Sequence, residues 1–160
     1  METIAYAPIG VIHTPFTRPE GMPIQAAAAG GARGSVKIHA AYEAGLQDLG
    51  GFSHIILIYH CHGSSRRELL VTPFLDSVPR GVFATRAPVH PNPIGLSVVR
   101  LLAVEGRQLE VADVDMLDRT PLLDIKPFVP AFDHRTGVRC GWLEGVDPQR
   151  AGVASDKRFT

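Results

Sequence analysis

Hydrophobic and polar residues alternate along short segments of this chain, and turn-forming residues separate these segments. Val36 and Ile38, for example, alternate with polar neighbours, which is the period of a half-buried strand. The glycine-bearing turn at 105–107 joins two such segments and predicts a hairpin. The predicted strands are Ile9–His13, Val36–Ile38, Phe52–His62, Leu69–Thr72, Gly81–Arg86, Leu96–Val104, Gln108–Asp115, Leu122–Phe128 and Val138–Leu143. So many short strands favour a mainly β fold, a closed or nearly closed barrel with one or two short helices.

Three segments depart from this two-residue period. The apolar residues at 42, 46 and 49 follow helical spacing and two glycines come after them, so we predict a short helix over residues 40–49. Residues 26–32 are alanine and glycine, and we expect a mobile loop there. The tail from 147 to 160 is polar and has little to bury. We therefore predict a barrel domain over residues 1–145 and a C-terminal extension over 146–160.

Charge and composition narrow the class of protein. Sixteen Lys and Arg balance sixteen Asp and Glu, so the chain lacks the long-range attraction for phosphate backbones that a basic protein has. The longest strongly apolar run, Ile55–Tyr59, is far shorter than the ~20 residues that span a bilayer. The N-terminus does not resemble a signal peptide, and two cysteines cannot form a disulfide framework. We expect a soluble cytoplasmic protein with reduced thiols and neither membrane nor DNA as a partner.

The common nucleotide-binding and hydrolase motifs are absent. The chain contains neither G-x-G-x-x-G nor a P-loop, and it has no G-x-S-x-G, C-x-x-C or H-E-x-x-H. The most unusual segment is residues 86–95, where three prolines stiffen the backbone before a glycine. Asn92 in this segment either reads an adenine edge or caps a rigid crossover. Arg86 either grips a carboxylate or phosphate, or is an exposed arginine at a strand end.

Acidic and histidine side chains are the other candidates for chemistry. Asp113 and Asp115 share one face of a strand. Asp118 either accepts a hydrogen bond from a ligand hydroxyl or occupies the first position of a turn. His60 and His62 also share a face, and with a nearby Glu68 they are a weak candidate for a metal site like that of cupin barrels. Local hydrogen bonding or ligand contact is the commoner role of such histidines.

Two further residues admit simple interpretations. Lys126 is either a surface lysine or a cation directed into a site, and the single tryptophan, Trp142, is expected in the core.

Five motifs, in order along the chain, resemble a known family. They are Pro8–Phe16, Gly51–Ile55, Arg80–Arg86, Pro91–Ser97 and Leu117–Pro127. The chain is similar over about residues 4–145 to the TsaA-like family, also called YaeB-like, whose members include the TrmO tRNA methyltransferases. The resemblance implies a single-sheeted β-barrel that binds S-adenosylmethionine without a Rossmann domain. It also implies a homodimer with the cofactor near the subunit interface, and methylation of N6 of N6-threonylcarbamoyladenosine at position 37 of threonine tRNA.

The resemblance also implies site residues by position. The cofactor-binding residues implied are Pro23, Ile24, Gln25, His62, Gly63, Arg86, Leu96, Asp115, Met116, Leu117 and Asp118. Tyr42, Asn92 and Lys126 are candidates for the substrate side, where the tRNA anticodon loop would bind. No catalytic base is identified and no metal is implied. The chain departs from the family pattern at three positions: isoleucine replaces an arginine at 24, histidine replaces an arginine at 90, and arginine replaces a glycine at 119.

Three functional hypotheses follow from these observations. The first is an S-adenosylmethionine-dependent tRNA (adenine-N6)-methyltransferase. The second is a module that binds S-adenosylmethionine without methylating tRNA, which would suit the neutral charge and the altered positions. The third is a cupin-like metalloenzyme that uses the two histidines and the glutamate named above.

Overall fold

The protein is built around antiparallel strands. The computed structural model describes residues 2–147 and 153–160. Its strands are β1 (Gly10–His13), β2 (Arg33–Ile38), β3 (His54–His60), β4 (Leu70–Val71), β5 (Arg80–Gly81), β6 (Ile94–Glu105), β7 (Gln108–Ala112) and β8 (Thr120–Pro127). One α-helix, α1 (Pro130–Asp133), occurs in this part of the chain, together with several short 3-10 helices.

Six of the strands close into one barrel, in the order β1-β2-β7-β6-β3-β8. Every neighbouring pair in it is antiparallel. β4 and β5 form a separate two-stranded sheet outside the barrel. The predicted mainly β, single-sheeted barrel is therefore confirmed. Closure leaves no unpaired strand edge in the main sheet, and this prevents the barrel from pairing edge to edge with another sheet.

Alternation along the strands fills the barrel. In β3, Ile55, Leu57 and Tyr59 are buried while the residues between them are only half-buried. Equivalent positions on the other five strands complete the core, with side chains such as Ile12, Val36, Val99, Leu109, Val111 and Leu122 fully buried. Burial of each large aliphatic side chain contributes about 1.5–3 kcal/mol. The hairpin of β6 and β7 turns at Gly106, whose φ of 55° suits glycine.

A second, smaller apolar cluster lies outside the barrel. Val71, Val82, Val89 and Phe159 are buried together, and Phe74 packs against them. Phe159 belongs to the tail, so the prediction that the tail buries little is wrong at this residue. The boundary predicted near 145 remains a prediction, and part of the predicted extension, residues 148–152, lies outside the described residues.

Some of the predicted elements differ from those observed. Residues 40–46 form a 3-10 helix rather than a full helix to 49; no side chain caps its start, and Asp48 beyond it is in the left-handed region at a φ of 65°. The strand predicted over 81–86 ends after Gly81, because Val82 turns into the second cluster in a 3-10 helix. The strand predicted over 138–143 is also wrong, since 138–140 are exposed and Gly141–Leu143 is a 3-10 turn.

The segment of small residues after Gln25 is more ordered than a plain loop. Ala26–Ala28 form a 3-10 turn and Ala26 is buried. No helix among residues 2–147 and 153–160 has the length and apolar content that a bilayer crossing needs.

Candidate functional site

A large open cavity lies against one side of the barrel. Its volume is about 830 Å³, and its walls come from distant parts of the chain. Residues from 19–27 form one wall, and the end of β3 with the residues after it forms another. The rest of the lining comes from residues within 73–75, 83–96, 115–120, 142–143 and 155–159. Loops and short turns, rather than the centres of strands, therefore build most of the lining.

The structure brings most of the implied cofactor residues to this cavity. Ten of the eleven line it: Pro23, Ile24, Gln25, His62, Gly63, Arg86, Leu96, Asp115, Met116 and Leu117. They come from segments as far apart as 23–25 and 115–117, so only the fold places them together.

Asp118 differs from the other ten, since it is not part of the lining. Its carboxylate accepts a hydrogen bond from the backbone N–H of Thr14 at 3.1 Å and lies 3.2 Å from Nδ1 of His13. Partial burial opposes ionisation, but these bonds more than offset it and lower the pKa of Asp118. In this structure the side chain ties β1 to the bend before β8.

The three candidates for the substrate side also lie outside the cavity lining. Tyr42 is on the exposed 3-10 helix at 40–46, and Lys126 forms an ion pair with Asp124 at 2.6 Å. Asn92 is exposed, and its carbonyl accepts a bond from the N–H of Ile94 at 2.8 Å. Its neighbours His90 and Ile94 do reach the lining. The proline-rich segment therefore borders the cavity although Asn92 does not face it.

Asp115 ends a chain of hydrogen bonds that starts in the barrel core. The hydroxyl of Tyr59 lies 3.0 Å from Oγ of Ser97, and Ser97 donates to Oδ1 of Asp115 at 2.5 Å. Tyr59 and Ser97 are both buried. Because the Ser97 proton is used by the carboxylate, Tyr59 is the donor in the first bond. The two bonds hold the carboxylate in one orientation.

Burial shifts the acid–base properties of this wall. Burial raises the pKa of Asp115 to about 6, although the bond from Ser97 lowers it. Burial likewise raises the pKa of Tyr59, and the carboxylate of Asp115 adds to the effect. The pKa of Cys61 is raised by burial to about 11, so this thiol stays protonated and unreactive at neutral pH. Asp115 alone of these three groups titrates near neutrality.

Arg86 provides a positive charge at the mouth of the cavity. Its side chain is exposed, and Nη1 donates to Oε1 of Gln25 at 3.0 Å. This bond joins the last residue of the Arg80–Arg86 motif to Gln25, another of the implied cofactor residues. The guanidinium retains donors for a ligand carboxylate or phosphate.

A smaller hollow of about 360 Å³ adjoins the main cavity. Asp115, Arg86, Gln25 and Leu96 belong to both linings. The smaller hollow also contains Ser97, and His54 and Asp113 add polar groups. Asp115 therefore lies in the wall that the two spaces share.

Two glycines allow the backbone to lie close to neighbouring side chains here. A Cβ at Gly95 would come 2.1 Å from the ring of Tyr59, and one at Gly63 would come 2.3 Å from Cδ1 of Leu117. Both glycines line the cavity. The shape of this wall therefore depends on the absence of side chains at the two positions.

Sequence reasoning missed much of the apolar lining. Met22, Phe74, Phe83, Trp142 and Phe159 all belong to it. Trp142 was expected in the core, but it is only half-buried and donates from Nε1 to the carbonyl of Ala84 at 2.7 Å. Met22 and Phe159 stand singly among polar or turn residues, whereas Phe83 and Trp142 lie in segments for which strands were predicted. No local pattern marks any of them as cavity lining.

The cupin-like hypothesis finds no support. No group of three or more His, Cys, Asp and Glu side chains placed to hold a metal occurs among the described residues. Glu68 pairs instead with Arg66. His62 lines the cavity, and burial is the main cause that lowers its pKa, which favours the neutral ring.

Comparison with known proteins identifies the family. The model of the tRNA-methyltransferase O N-terminal domain matches residues 11–134. This chain belongs to the TrmO family. A probable S-adenosyl-L-methionine-binding protein of Pyrococcus abyssi is 56% identical over 98% of this chain and 85% of its own length. A mouse tRNA (adenine(37)-N6)-methyltransferase is 37% identical over 79% of this chain and 31% of its own length.

A solved structure supports the same family. The crystal structure of TrmO from Pseudomonas aeruginosa superposes with a TM-score of 0.74 at 36% identity, over 88% of this chain and 63% of that one. The chain therefore spans somewhat less than two thirds of the solved relative. The structural likeness therefore supports a TrmO-like barrel over most of this chain.

Proposed function

We propose that this protein is an S-adenosylmethionine-dependent methyltransferase that acts on N6 of N6-threonylcarbamoyladenosine at position 37 of threonine tRNA. One observation carries the proposal. Ten residues that correspond to the family's cofactor positions line a single cavity, although they come from segments up to about ninety positions apart in the chain. Names of relatives support it, since they include S-adenosyl-L-methionine-binding proteins and tRNA (adenine(37)-N6)-methyltransferases.

The chemistry of the lining suits this cofactor. Aromatic and aliphatic side chains such as Phe74, Phe83 and Met116 offer apolar surface for an adenine ring. Arg86 offers a planar fork for the carboxylate of a methionine moiety. Asp115 and Gln25 supply acceptors for hydroxyl or ammonium donors. The cofactor supplies a methyl group already activated on a sulfonium.

The principal task of the protein is therefore alignment. Good orientation of two reactants can supply ~7–11 kcal/mol of a reaction barrier. The Tyr59–Ser97–Asp115 bonds hold the carboxylate firmly, and the glycines at 63 and 95 keep the wall close to the ligand space. A preorganised wall of this kind lowers the cost of orienting the reactants during each turnover.

Asp115 is the proposed proton acceptor for the N6 amine. Asp115 lines both hollows and, with a pKa of about 6, is mostly ionised at neutral pH while still able to take up a proton. Asp156, the other carboxyl group in the main lining, has its pKa lowered by hydrogen bonds from Arg158 and is a weaker base. This leaves Asp115 as the better placed of the two.

The acceptor base is proposed to enter through the smaller hollow. A base in an anticodon loop can be splayed out and held by stacking, which contributes ~1–3 kcal/mol per base. His54 and Arg86 line this hollow and can stack on a purine or bond to its edge. Tyr42, Asn92 and Lys126 are exposed and remain candidates for contacts with the rest of the loop.

A homodimer with cofactor sites near the interface remains part of the proposal. Apolar side chains at the rim of the cavity are exposed: Phe83 is 78% accessible, Ile94 51% and Leu96 46%. A second subunit covering them would bury apolar surface and close the open side of the cavity. The proposed location is the cytoplasm, where the tRNA substrate is found.

A turnover assay tests the proposed activity. Purified protein is incubated with labelled S-adenosylmethionine and threonine tRNA that carries threonylcarbamoyladenosine, and the tRNA is digested for mass spectrometry. We expect one added methyl group on the modified nucleoside and none on tRNA that lacks the modification. Tight cofactor binding without methyl transfer would favour the binding-module hypothesis, and absence of cofactor binding would contradict both.

A further inference from the structure

The C-terminal residues 153–160, here called the terminal segment, fold back onto the cavity. The backbone N–H of Gly21 donates to the carbonyl of Ser155, and the N–H of Ser155 donates to the carbonyl of Met22, each at 2.9 Å. Ala154 forms an antiparallel bridge with Pro23. The terminal segment thus extends the wall that contains Pro23, the first implied cofactor residue.

Arg158 anchors the terminal segment to the opposite side of the cavity. Its Nη1 donates to the carbonyl of Pro73 at 2.8 Å, and its guanidinium carbon lies 4.9 Å from the ring centroid of Phe74. Its Nε and Nη2 donate to the carboxylate of Asp156, and its own carbonyl accepts a bond from Arg66 at 3.0 Å. One residue therefore connects the segment at 72–74 with the end of the chain.

Phe159 completes the attachment. It is 7% exposed, and its ring meets that of Phe74 edge to face with centroids 5.0 Å apart. Ser155, Asp156 and Phe159 all belong to the cavity lining. They lie beyond residues 11–134, the part of the chain that matches the family domain. This side of the cavity therefore depends on residues outside the matched domain.

We propose that the terminal segment is a positioning element for the cofactor, joining residues 19–23 and 72–74 into one wall. The inference rests on the proposed function, because it takes the cavity ligand to be S-adenosylmethionine. Phe159 with Phe74 gives this wall an aromatic surface, which suits the adenine ring rather than the charged methionine part. Loss of the Arg158 anchor would weaken cofactor binding without altering the groups that act on the acceptor.

Point substitutions in the full chain test the inference. Arg158→Ala is expected to raise the dissociation constant for S-adenosylmethionine about tenfold, since charge-assisted hydrogen bonds are lost. The rate at saturating cofactor should stay unchanged, and Arg158→Lys should give an intermediate affinity because it keeps the charge but not the fork. Arg135→Ala is the matched control, because this arginine donates to the carbonyls of Phe132 and His134, away from the terminal segment, and does not line the cavity.

Hydrogen exchange of the unaltered protein gives a second test that needs no substitution. If the terminal segment contacts the cofactor, saturation with S-adenosylmethionine must slow exchange of the amide hydrogens in peptides from 153–160, because coupling between two sites is reciprocal. Unchanged exchange at saturation, or equal affinity of wild type and Arg158→Ala, would overturn the inference and leave the proposed function standing. A wild-type protein that does not bind the cofactor would overturn both.

Discussion

The barrel interior and the cavity wall of this protein are held together in different ways. The interior is filled by every second side chain of six strands that pair into a closed barrel. Leu57 in β3 is one of these side chains. The cavity wall consists of loops and 3-10 turns joined by single contacts, such as the bond from Trp142 to Ala84. A packed interior loses stability when one side chain is truncated, whereas a wall of separate contacts loses ligand affinity first.

Truncation inside the barrel should have the largest effect on stability. Leu57 is fully buried between β6 and β8, so Leu57→Ala leaves a cavity and should cost about 2–5 kcal/mol of unfolding free energy. Denaturant titration measures it. Cofactor affinity should change little at temperatures where the variant is folded. A loss of binding in a folded Leu57→Ala variant would show that the two regions are not separable.

Removal of the positive charge at the cavity mouth should have the opposite pattern. Arg86 is exposed, and its guanidinium donates a hydrogen bond to Gln25. Arg86→Ala should therefore leave the unfolding midpoint nearly unchanged and weaken S-adenosylmethionine binding by about 1.5–3 kcal/mol, the typical contribution of a hydrogen bond to a charged group. Calorimetry measures the affinity, and Arg33→Ala, on an exposed position of β2, is the control.

The same division explains what could be predicted from the sequence. β3 could be predicted from its continuous apolar run and the β6–β7 hairpin from its glycine-bearing turn, so both follow from neighbouring residues alone. The 3-10 turn at Val82 could not, because it forms where Val82 enters a cluster with Phe159, far away in the chain. A single apolar residue in a polar tail carries no period, and its partner is set by the tertiary fold.

The candidate site shows the same limit. Residue types indicated that Asp115 and Asp118 were both of interest, but the sequence could not distinguish their surroundings. The fold buries Asp115 beside Ser97 and directs Asp118 towards Thr14 and His13. The family resemblance supplied the positions that line the cavity, whereas the aromatic lining depends on contacts between distant segments. Local patterns predict strands, and only the fold shows which strand ends and loops share a hollow.

A methyl group at Gly95 tests a point where barrel and cavity meet. Gly95 is in β6, and a Cβ there would overlap the ring of Tyr59, which is buried and cannot swing away. Gly95→Ala should cost about 1–3 kcal/mol through overpacking. Gly63→Ala should cost less, because the atom in its way is the flexible end of Leu117. Gly81→Ala, which meets nothing within 4 Å, is the control.

The informative measurements are the stability and the cofactor affinity of Gly95→Ala, each compared with Gly81→Ala. If Gly95→Ala destabilises the protein and also impairs binding, the added methyl group changes the cavity as well, either directly, because Gly95 lines it, or through Tyr59 and Ser97. If only stability falls, the hydrogen-bonded chain tolerates a displaced ring. A Gly95→Ala variant as stable as Gly81→Ala would contradict the close approach described for this position.

The smallest expected effect is the pH dependence that Asp115 contributes. Its folded pKa of about 6 exceeds the ordinary 3.8, so the folded state holds the proton more tightly and the carboxyl's contribution to stability falls as pH rises from about 4 to about 6. With these two pKa values, the linkage between proton binding and folding lowers the free energy of unfolding by on the order of 1 kcal/mol between about pH 5 and pH 8. Asp115→Asn removes the titration, so its stability relative to wild type should increase across that range, as measured by thermal unfolding at each pH.

Activity should follow the opposite direction. Because the proposed proton acceptor must be ionised, the methylation rate of wild type should rise with pH through about 6, and Asp115→Asn should be slow at every pH. Ser97→Ala is the sharper variant, since it keeps the carboxylate but removes the bond that lowers its pKa. Its rate profile should shift to higher pH. A profile that stays in place in Ser97→Ala would assign the titration to another group and leave Asp115 with a binding role alone.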